Sequence, residues 1–165
     1  MNAAVDIVLV KTGNPGNIGS VARAMKNTGF HSVTLVAPRC AVDDQSYCMA
    51  THGADILHSA QTADSLRSAL SDATYVFGTT ARGRRLRKNM TPQDMAGVIA
   101  AGTRSERYAI VFGPEDRGLT NSELDLCDEV ITIPTADAAS SLNISHAVMI
   151  CCYEIYKSMH TETCR

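Results

Sequence analysis

Residues 6–19 read DIVLVKTGNPGNIG. The first six form a short apolar run rich in β-branched residues, and a loop of Gly, Asn and Pro follows. Continuous apolar runs of this length, bounded by turn residues, are typical of strands buried on both faces. Four apolar residues then recur at helical spacing: Ile18, Val21, Ala22 and Met25. The stretch predicts a strand, a tight connection and an amphipathic helix, with Asn17 as N-cap and Gly29 just beyond its C-terminus.

The same pattern recurs along the rest of the chain. Further apolar runs of strand type occupy 32–36, 74–78, 108–112 and 129–133. Helical signals lie at 64–70, from Thr91-Pro92 onward, at a capping box that opens a helix over 120–126, and at 145–157. Alternating strands and helices predict an α/β fold with a mostly parallel sheet flanked by helices. The length of 165 residues and the lack of a linker predict one domain over 1–165.

The last predicted helix carries an unusually apolar segment. Residues 147–152 read AVMICC without a polar break. A helix that is apolar all round must be covered on more than one side. We interpret it as a homodimer interface, with a helix sandwiched inside one domain as the alternative.

Charge is distributed unevenly along a chain with a net charge of −2. This balance does not indicate bulk nucleic-acid binding, so any contact with RNA needs a local basic patch. Such a patch is present as five cations: Arg82, Arg84, Arg85, Arg87 and Lys88. Arginine forks pair well with phosphate, which favours an RNA-contacting loop. A solvated basic loop is the alternative.

Several classes of protein are disfavoured. No apolar run approaches the roughly 20 residues of a membrane span, and the first residues do not resemble a signal peptide. We therefore expect a cytoplasmic protein. The six cysteines form no C-x-x-C pair, which predicts reduced thiols and no metal site. Residues 12–19 match neither G-x-G-x-x-G nor a phosphate-binding loop with Lys-Ser/Thr, which disfavours a nucleotide-dependent enzyme.

Three loops follow strands and are expected to share one site. They cover 12–19, 112–119 and 133–143. In open α/β sheets, ligands bind beyond the carboxyl ends of the strands. Each loop alone is a weak signal, and together they predict a composite site.

Three segments carry a family resemblance. They are 17–24 (NIGSVARA), 111–119 (VFGPEDRGL), and 133–134 (IP) followed by 140–145 (SSLNIS). In this order they resemble the motifs of the SPOUT class of RNA methyltransferases, in particular its TrmH (SpoU) family. The segments GTTAR and LTNSEL elsewhere in the chain are most similar to the TrmJ branch.

The resemblance implies a fold and a function. It implies an α/β fold with a deep C-terminal trefoil knot, and a homodimer that shares its RNA site. It further implies S-adenosylmethionine-dependent methylation of a ribose 2′-hydroxyl, most similar to that of a cytidine or uridine in the tRNA anticodon loop. The alternatives are an rRNA ribose methyltransferase and a non-catalytic RNA-binding module of the same fold. Members of this branch usually continue into a C-terminal helical extension, so we expect that the chain is either a catalytic-domain fragment or a minimal member.

The resemblance also assigns residues. The implied cofactor residues are Thr79, Thr80, Ala81, Phe112, Gly113, Glu115, Gly118, Ile133 and Leu142. The implied catalytic residues are Arg23, Asn17, Ser141 and Asn143. Helical geometry places Arg23 well away from the centre of the apolar stripe, so it need not point into the core.

Overall fold

A computed structural model of the protein describes residues 4–81, 89–136 and 141–160. The strands are β1 (Ala4–Val10), β2 (Ser32–Val36), β3 (Gln61–Ala63), β4 (Tyr75–Thr79), β5 (Arg107–Phe112) and β6 (Glu129–Ile131). They form one sheet in the order β3-β2-β1-β5-β4-β6, and every neighbouring pair is parallel. The predicted α/β class is confirmed.

Helices cover both faces of this sheet. They are α1 (Pro15–Asn27), α2 (Asp44–Ala50), α3 (Ala54–His58), α4 (Leu66–Ala69), α5 (Pro92–Ala101), α6 (Asn121–Leu124) and α7 (Ile144–His160), with a 3₁₀ turn at Thr51–Gly53. Within the described ranges, none of these helices is long and apolar enough to cross a membrane.

The central strands are buried on both faces, because successive side chains point to opposite sides of the sheet and helices cover each side. In β1, Ile7 and Leu9 join the core formed with α1, α3, α5 and α7. Val8 and Val10 join a second core on the other face, together with Leu66 of α4 and residues of α6. All four of these β1 side chains are almost fully buried. A continuous apolar run is therefore what each central strand needs.

The start of α1 differs from our prediction. Asn14 is the N-cap, and its side chain accepts hydrogen bonds from the backbone N–H groups of Gly16 and Asn17. Pro15 takes the first helical position, where no N–H is required. Asn17 is consequently the third residue of the helix, so its assignment as N-cap is wrong and its side chain is available for other contacts. Gly29 lies beyond the helix end with a φ of +78°, as predicted.

The bounds of the other predicted helices are close to those in the structure, and three short elements were not predicted. Thr91 and Thr120 form the capping boxes of α5 and α6, and α6 ends at Leu124 rather than at residue 126. The helix expected over 64–70 is shorter, covering Leu66–Ala69. Two helices and one strand were not predicted: α2, α3 and β3. All three are short; α2 and β3 are largely exposed, and α3 buries only Ile56 and Leu57, so none carries a clear hydrophobic pattern.

One face of α7 packs within the chain. Its buried residues are Ile144, Val148, Cys151, Cys152 and Ile155. They recur at helical spacing and belong to the core that includes α1 and α5. Outside this face, Tyr153 is 52% exposed and Tyr156 is 39% exposed. The domain therefore covers one side of α7 and leaves two aromatic side chains at the surface.

Candidate active site

A cavity of about 310 Å³ lies at the carboxyl ends of β4, β5 and β6. Residues 79–81, 112–119, 131 and 133 supply most of its wall, and Ser141, Leu142, Ile144 and Ala147, at the start of α7, complete it. Carboxyl ends of parallel strands meet at one edge of a sheet, which brings loops distant in sequence together. We call this the first cavity.

The first cavity gathers the cofactor residues implied by the resemblance. All nine of them line it: Thr79, Thr80, Ala81, Phe112, Gly113, Glu115, Gly118, Ile133 and Leu142. Ser141, expected to be catalytic, also lines it. The structure thus places these residues around one space, while their role in binding a cofactor stays a prediction.

The loop over 113–118 is unusually tight. A Cβ atom at Gly113 would overlap backbone atoms of Gly118 and Leu119. Gly118 adopts a φ of +68°, which a glycine accepts without strain, and its N–H donates to the carbonyl of Pro114 at 2.8 Å. Two glycines are therefore required for the loop to close on itself at the cavity wall.

Charged contacts tether the same loop to its neighbours. The guanidinium of Arg39 donates to Asp116 at 3.1 Å and to the carbonyl of Lys11 at 2.9 Å. The hydrogen bond from Arg39 holds the pKa of Asp116 below its usual value. Nearby, the ammonium of Lys11 lies 3.0 Å from Glu123. Exposed ion pairs stabilise a fold only weakly, so the main effect of the Arg39–Asp116 pair is to set the position of the loop, and the Lys11–Glu123 pair joins the end of β1 to α6.

A chain of hydrogen bonds joins α1, the tight loop and α7. The side-chain amide of Asn17 donates to Glu115 at 2.7 Å, and that of Asn143 donates to the Asn17 oxygen at 3.0 Å. Ser145 in turn donates to Asn143 through its N–H at 2.9 Å and its hydroxyl at 2.7 Å. We call these four residues the polar chain. It links three of the predicted site residues directly.

Arg23 and the basic segment stand apart from this arrangement. Arg23 is exposed on α1 and lines neither the first cavity nor the second cavity described below. It follows Asn17 by six residues, or about 9 Å along the helix axis. The five predicted RNA-binding cations, in the range 82–88, lie outside the described residues. Their neighbours Thr80 and Ala81 line the first cavity.

Residues 4–153 match the model of the family described as SpoU rRNA Methylase. The chain belongs to the SpoU methylase family. The match includes the tight loop, the polar chain and the strands that position them.

Two curated relatives show the extent of the similarity. The tRNA (cytidine-2′-O-)-methyltransferase TrmJ of Methanocaldococcus jannaschii is 37% identical over 156 residues, covering 92% of this chain and 67% of that protein. The tRNA (cytidine/uridine-2′-O-)-methyltransferase TrmJ of Pectobacterium atrosepticum is 41% identical over 152 residues, covering 92% of this chain and 63% of that protein. This SpoU family chain thus spans about two thirds of the length of these two relatives. The predicted likeness to the TrmJ branch is confirmed.

A solved structure agrees with the fold. The probable methylase family protein from Haemophilus influenzae superposes with a TM-score of 0.92 at 38% identity, covering 99% of this chain and 70% of that one. The parallel sheet and its helices are therefore shared with another protein described as a methylase.

This SpoU family chain also has a second cavity, which the sequence did not reveal. Its volume is about 360 Å³, and Asn14, Gly16, Asn17, Ser20, Gln45, Met49, Asn143, Ser145 and His146 line it. Gln45 and Met49 belong to α2, which carries too weak a pattern to be predicted. His146 lies in the first turn of α7, and the apolar run that follows it gave no signal for a polar site there.

Proposed function

We propose that the chain is an S-adenosylmethionine-dependent methyltransferase that acts on a ribose 2′-hydroxyl of tRNA, at a cytidine or uridine in the anticodon loop. One observation carries this proposal: residues of the second and third family motifs line the first cavity, and the polar chain joins Asn17 of the first motif to both of them. The relatives named above act on tRNA cytidine or uridine ribose, which supports the substrate class over rRNA. Such an enzyme would work in the cytoplasm, where tRNA is available.

The first cavity suits the proposed cofactor in size and chemistry. Its volume of about 310 Å³ lies within the range of small-molecule sites. Leu119, Ile131 and Ile133 supply apolar wall for an adenine ring. Thr79 and Thr80 bring backbone and hydroxyl groups to the rim for the polar ends of the molecule. When bound, S-adenosylmethionine would supply an activated methyl group on a sulfonium.

Two further features belong to the proposal. The segment entering α7 threads the loop that follows β5, forming a trefoil knot, and two copies of the chain form a homodimer. Ile144 and Ala147 of α7 contact the same cavity as residues 113–118, which supports a close passage of these segments. The exposed Tyr153 and Tyr156 of α7 supply apolar surface for a partner. The dimer would bring Arg23 of one copy to the site of the other.

The main chemical task is to stabilise negative charge on the attacking oxygen. A 2′-hydroxyl is largely neutral at pH 7 and becomes a better nucleophile as its proton departs. A protonated Arg23 would donate to this oxygen and to an adjacent phosphate. Removing a proton from an arginine guanidinium at neutral pH costs about 7–9 kcal/mol, so we favour a clamp over a base. The proton then leaves to phosphate or water.

The polar chain would orient the substrate ribose. Glu115 fixes the amide of Asn17, and Asn17 fixes that of Asn143. Groups held by hydrogen bonds lose little further freedom when a substrate arrives, which favours the reactive geometry. Ser141, at the rim of the first cavity, places a hydroxyl beside the same space.

The decisive experiment maps ribose methylation in unmodified tRNA by mass spectrometry after incubation with the protein and S-adenosylmethionine. We expect one 2′-O-methylated nucleotide in the anticodon loop. Arg23→Ala should abolish transfer, while calorimetry should show nearly unchanged cofactor affinity. Cofactor binding without transfer by the wild-type chain would instead identify a non-catalytic RNA-binding module. Equal loss of transfer and cofactor binding in the variant would refute the role given to Arg23.

The basic segment provides a separate test. We expect that replacing Arg82 and Arg84 by Ala weakens tRNA binding and flattens its salt dependence, because fewer counterions are released from phosphate. Filter binding at several salt concentrations measures the slope. An unchanged slope would contradict a phosphate-contacting role and favour a merely solvated loop.

A further inference from the structure

The second cavity lies where three helices begin. Asn14, Gly16 and Asn17 come from the start of α1, Gln45 from the first turn of α2, and residues 143–146 from the start of α7. It shares a wall with the first cavity, because Asn17 and Asn143 line the second while Glu115, bonded to Asn17, lines the first. A ligand spanning both cavities would therefore contact the polar chain in its middle.

The lining of the second cavity is polar but carries no carboxylate, lysine or arginine among the residues that the structure describes there. It offers the amide of Gln45, the imidazole of His146 and the hydroxyl of Ser20, beside the thioether of Met49. None of these side chains is an arginine or lysine that could pair with a phosphate. Neutral groups that both donate and accept hydrogen bonds, next to an apolar side chain, instead match the edge and face of an unstacked nucleobase.

The position of α2 is fixed by close packing. A Cβ atom at Gly19 of α1 would overlap the carbonyl oxygen of Ser46 and crowd Met49. The capping box of α2 joins Asp43 and Ser46 through hydrogen bonds of 3.1 and 3.3 Å. At Gly16, an added Cβ would lie 3.1 Å from the side-chain nitrogen of Gln45. Glycines on α1 thus let Gln45 lie directly against the helix start, in a defined place.

We propose that the second cavity is the subsite for the nucleobase of the target nucleotide, and that Gln45 and His146 determine which bases are accepted. This inference rests on the proposed function, which places the reacting ribose at the polar chain. The base is attached to C1′ of that ribose, the carbon bonded to the one that carries the 2′-oxygen, so it lies beside the reacting group. The second cavity is lined by Asn17 and Asn143 of the polar chain, so it is the space next to the proposed ribose position.

The first test compares four tRNA transcripts that differ only at the methylated nucleotide. For each one, kcat/KM is measured with the wild-type chain, with Gln45→Ala and with His146→Ala. Base-specific hydrogen bonds discriminate by about 5- to 150-fold, so we expect the ratios between bases to change by at least about fivefold. The matched controls are Gln93→Ala and His31→Ala, which alter exposed residues outside both cavities. Both controls should leave the ratios unchanged.

Two results of this test would overturn the proposal. One is an equal loss of activity on all four transcripts, which indicates a role in folding or backbone contact. The other is no change at all, as expected if a second copy of the chain fills the cavity.

A binding measurement separates this inference from the proposed function. Short RNAs with either cytidine or an abasic site at the target position are titrated in the presence of S-adenosylhomocysteine. We expect tighter binding of the cytidine strand by the wild-type chain, and loss of this preference in a Gln45→Ala/His146→Ala double variant. Equal affinity of the wild-type chain for both strands refutes the base subsite, whether or not methyl transfer is observed. Tighter binding of the cytidine strand without methyl transfer would support the base subsite and refute the catalytic proposal.

Discussion

Gly113→Ala places one methyl group at the narrowest point of the loop that lines the first cavity. The added Cβ would overlap the backbone of Gly118 and Leu119, which cannot rotate away as a side chain can. Inserting a methyl group into a packed region costs about 1–3 kcal/mol. Because the N–H of Gly118 is also bonded to Pro114 at 2.8 Å, the loop must open to relieve the strain.

The cost appears in one of two measurements. If the loop keeps its shape, the free energy of unfolding falls by this amount, and the melting temperature of a domain of this size drops by about 2–12 °C. If the loop opens, the cost is met when the cofactor binds, and affinity falls by about 5- to 150-fold at 1.4 kcal/mol per factor of ten. Scanning calorimetry and titration calorimetry with S-adenosylmethionine on one preparation cover both cases.

Gly97→Ala is the matched control. Gly97 is exposed on α5, and a Cβ there meets no atom within 4 Å. Alanine is the better helix former by about 0.8–1 kcal/mol, so this variant should melt slightly higher and bind the cofactor normally. Wild-type melting and wild-type affinity in Gly113→Ala would refute the argument that the loop depends on this close approach.

Two further predictions concern ionisable groups. Burial acts to raise the pKa of Glu123, but backbone hydrogen bonds and Lys11 outweigh it, so the pKa lies below its ordinary value. The stabilisation by Glu123 is therefore present above the ordinary pKa of a glutamate and is lost as pH falls. Urea unfolding should show Glu123→Gln to be less stable at pH 7, with a difference that shrinks toward pH 3; a constant difference would contradict this. Burial also raises the pKa of Cys127 to about 12, so iodoacetamide at pH 8 should modify the exposed Cys48 first. Peptide mapping gives the order, and equal rates at the two thiols would show that Cys127 is accessible as thiolate.

The central strands could be predicted because burial on both faces demands a continuous apolar run. Ile110 and Phe112 point into one core while Ala109 and Val111 point into the other. By contrast, β3 consists of Gln61–Ala63 at the sheet edge and carries no such pattern. Its place follows from pairing with β2, which only the folded chain provides.

The helix starts show where local signals compete. Asn14 and Asn17 are both good N-cap residues, and a pattern based on the apolar stripe favours the nearer one. Pro15 is suited to the first helical position, and the residue before it, Asn14, is therefore the N-cap. With the cap at Asn14, the side chain of Asn17 donates to Glu115 instead.

The residues of the first cavity could be named in advance because contiguous motifs contain them. The second cavity could not, since Gln45 depends on the packing of α2 against Gly19 rather than on its own sequence context. For Arg23, the sequence predicts a role but not a location. Its motif suggests a catalytic role, but one copy of the chain does not bring it to either cavity. The catalytic role proposed for Arg23 therefore rests on the proposed homodimer.

The contact between Asn143 and Asn17 has a consequence for biosynthesis. The two residues are separated by 126 positions, so the side-chain oxygen of Asn17 cannot accept from Asn143 until residue 143 has left the ribosome. Translation at about 5–20 residues per second makes this delay several seconds or more. A nascent polypeptide that has completed only the earlier strands therefore lacks the hydrogen bond that joins the start of α7 to α1.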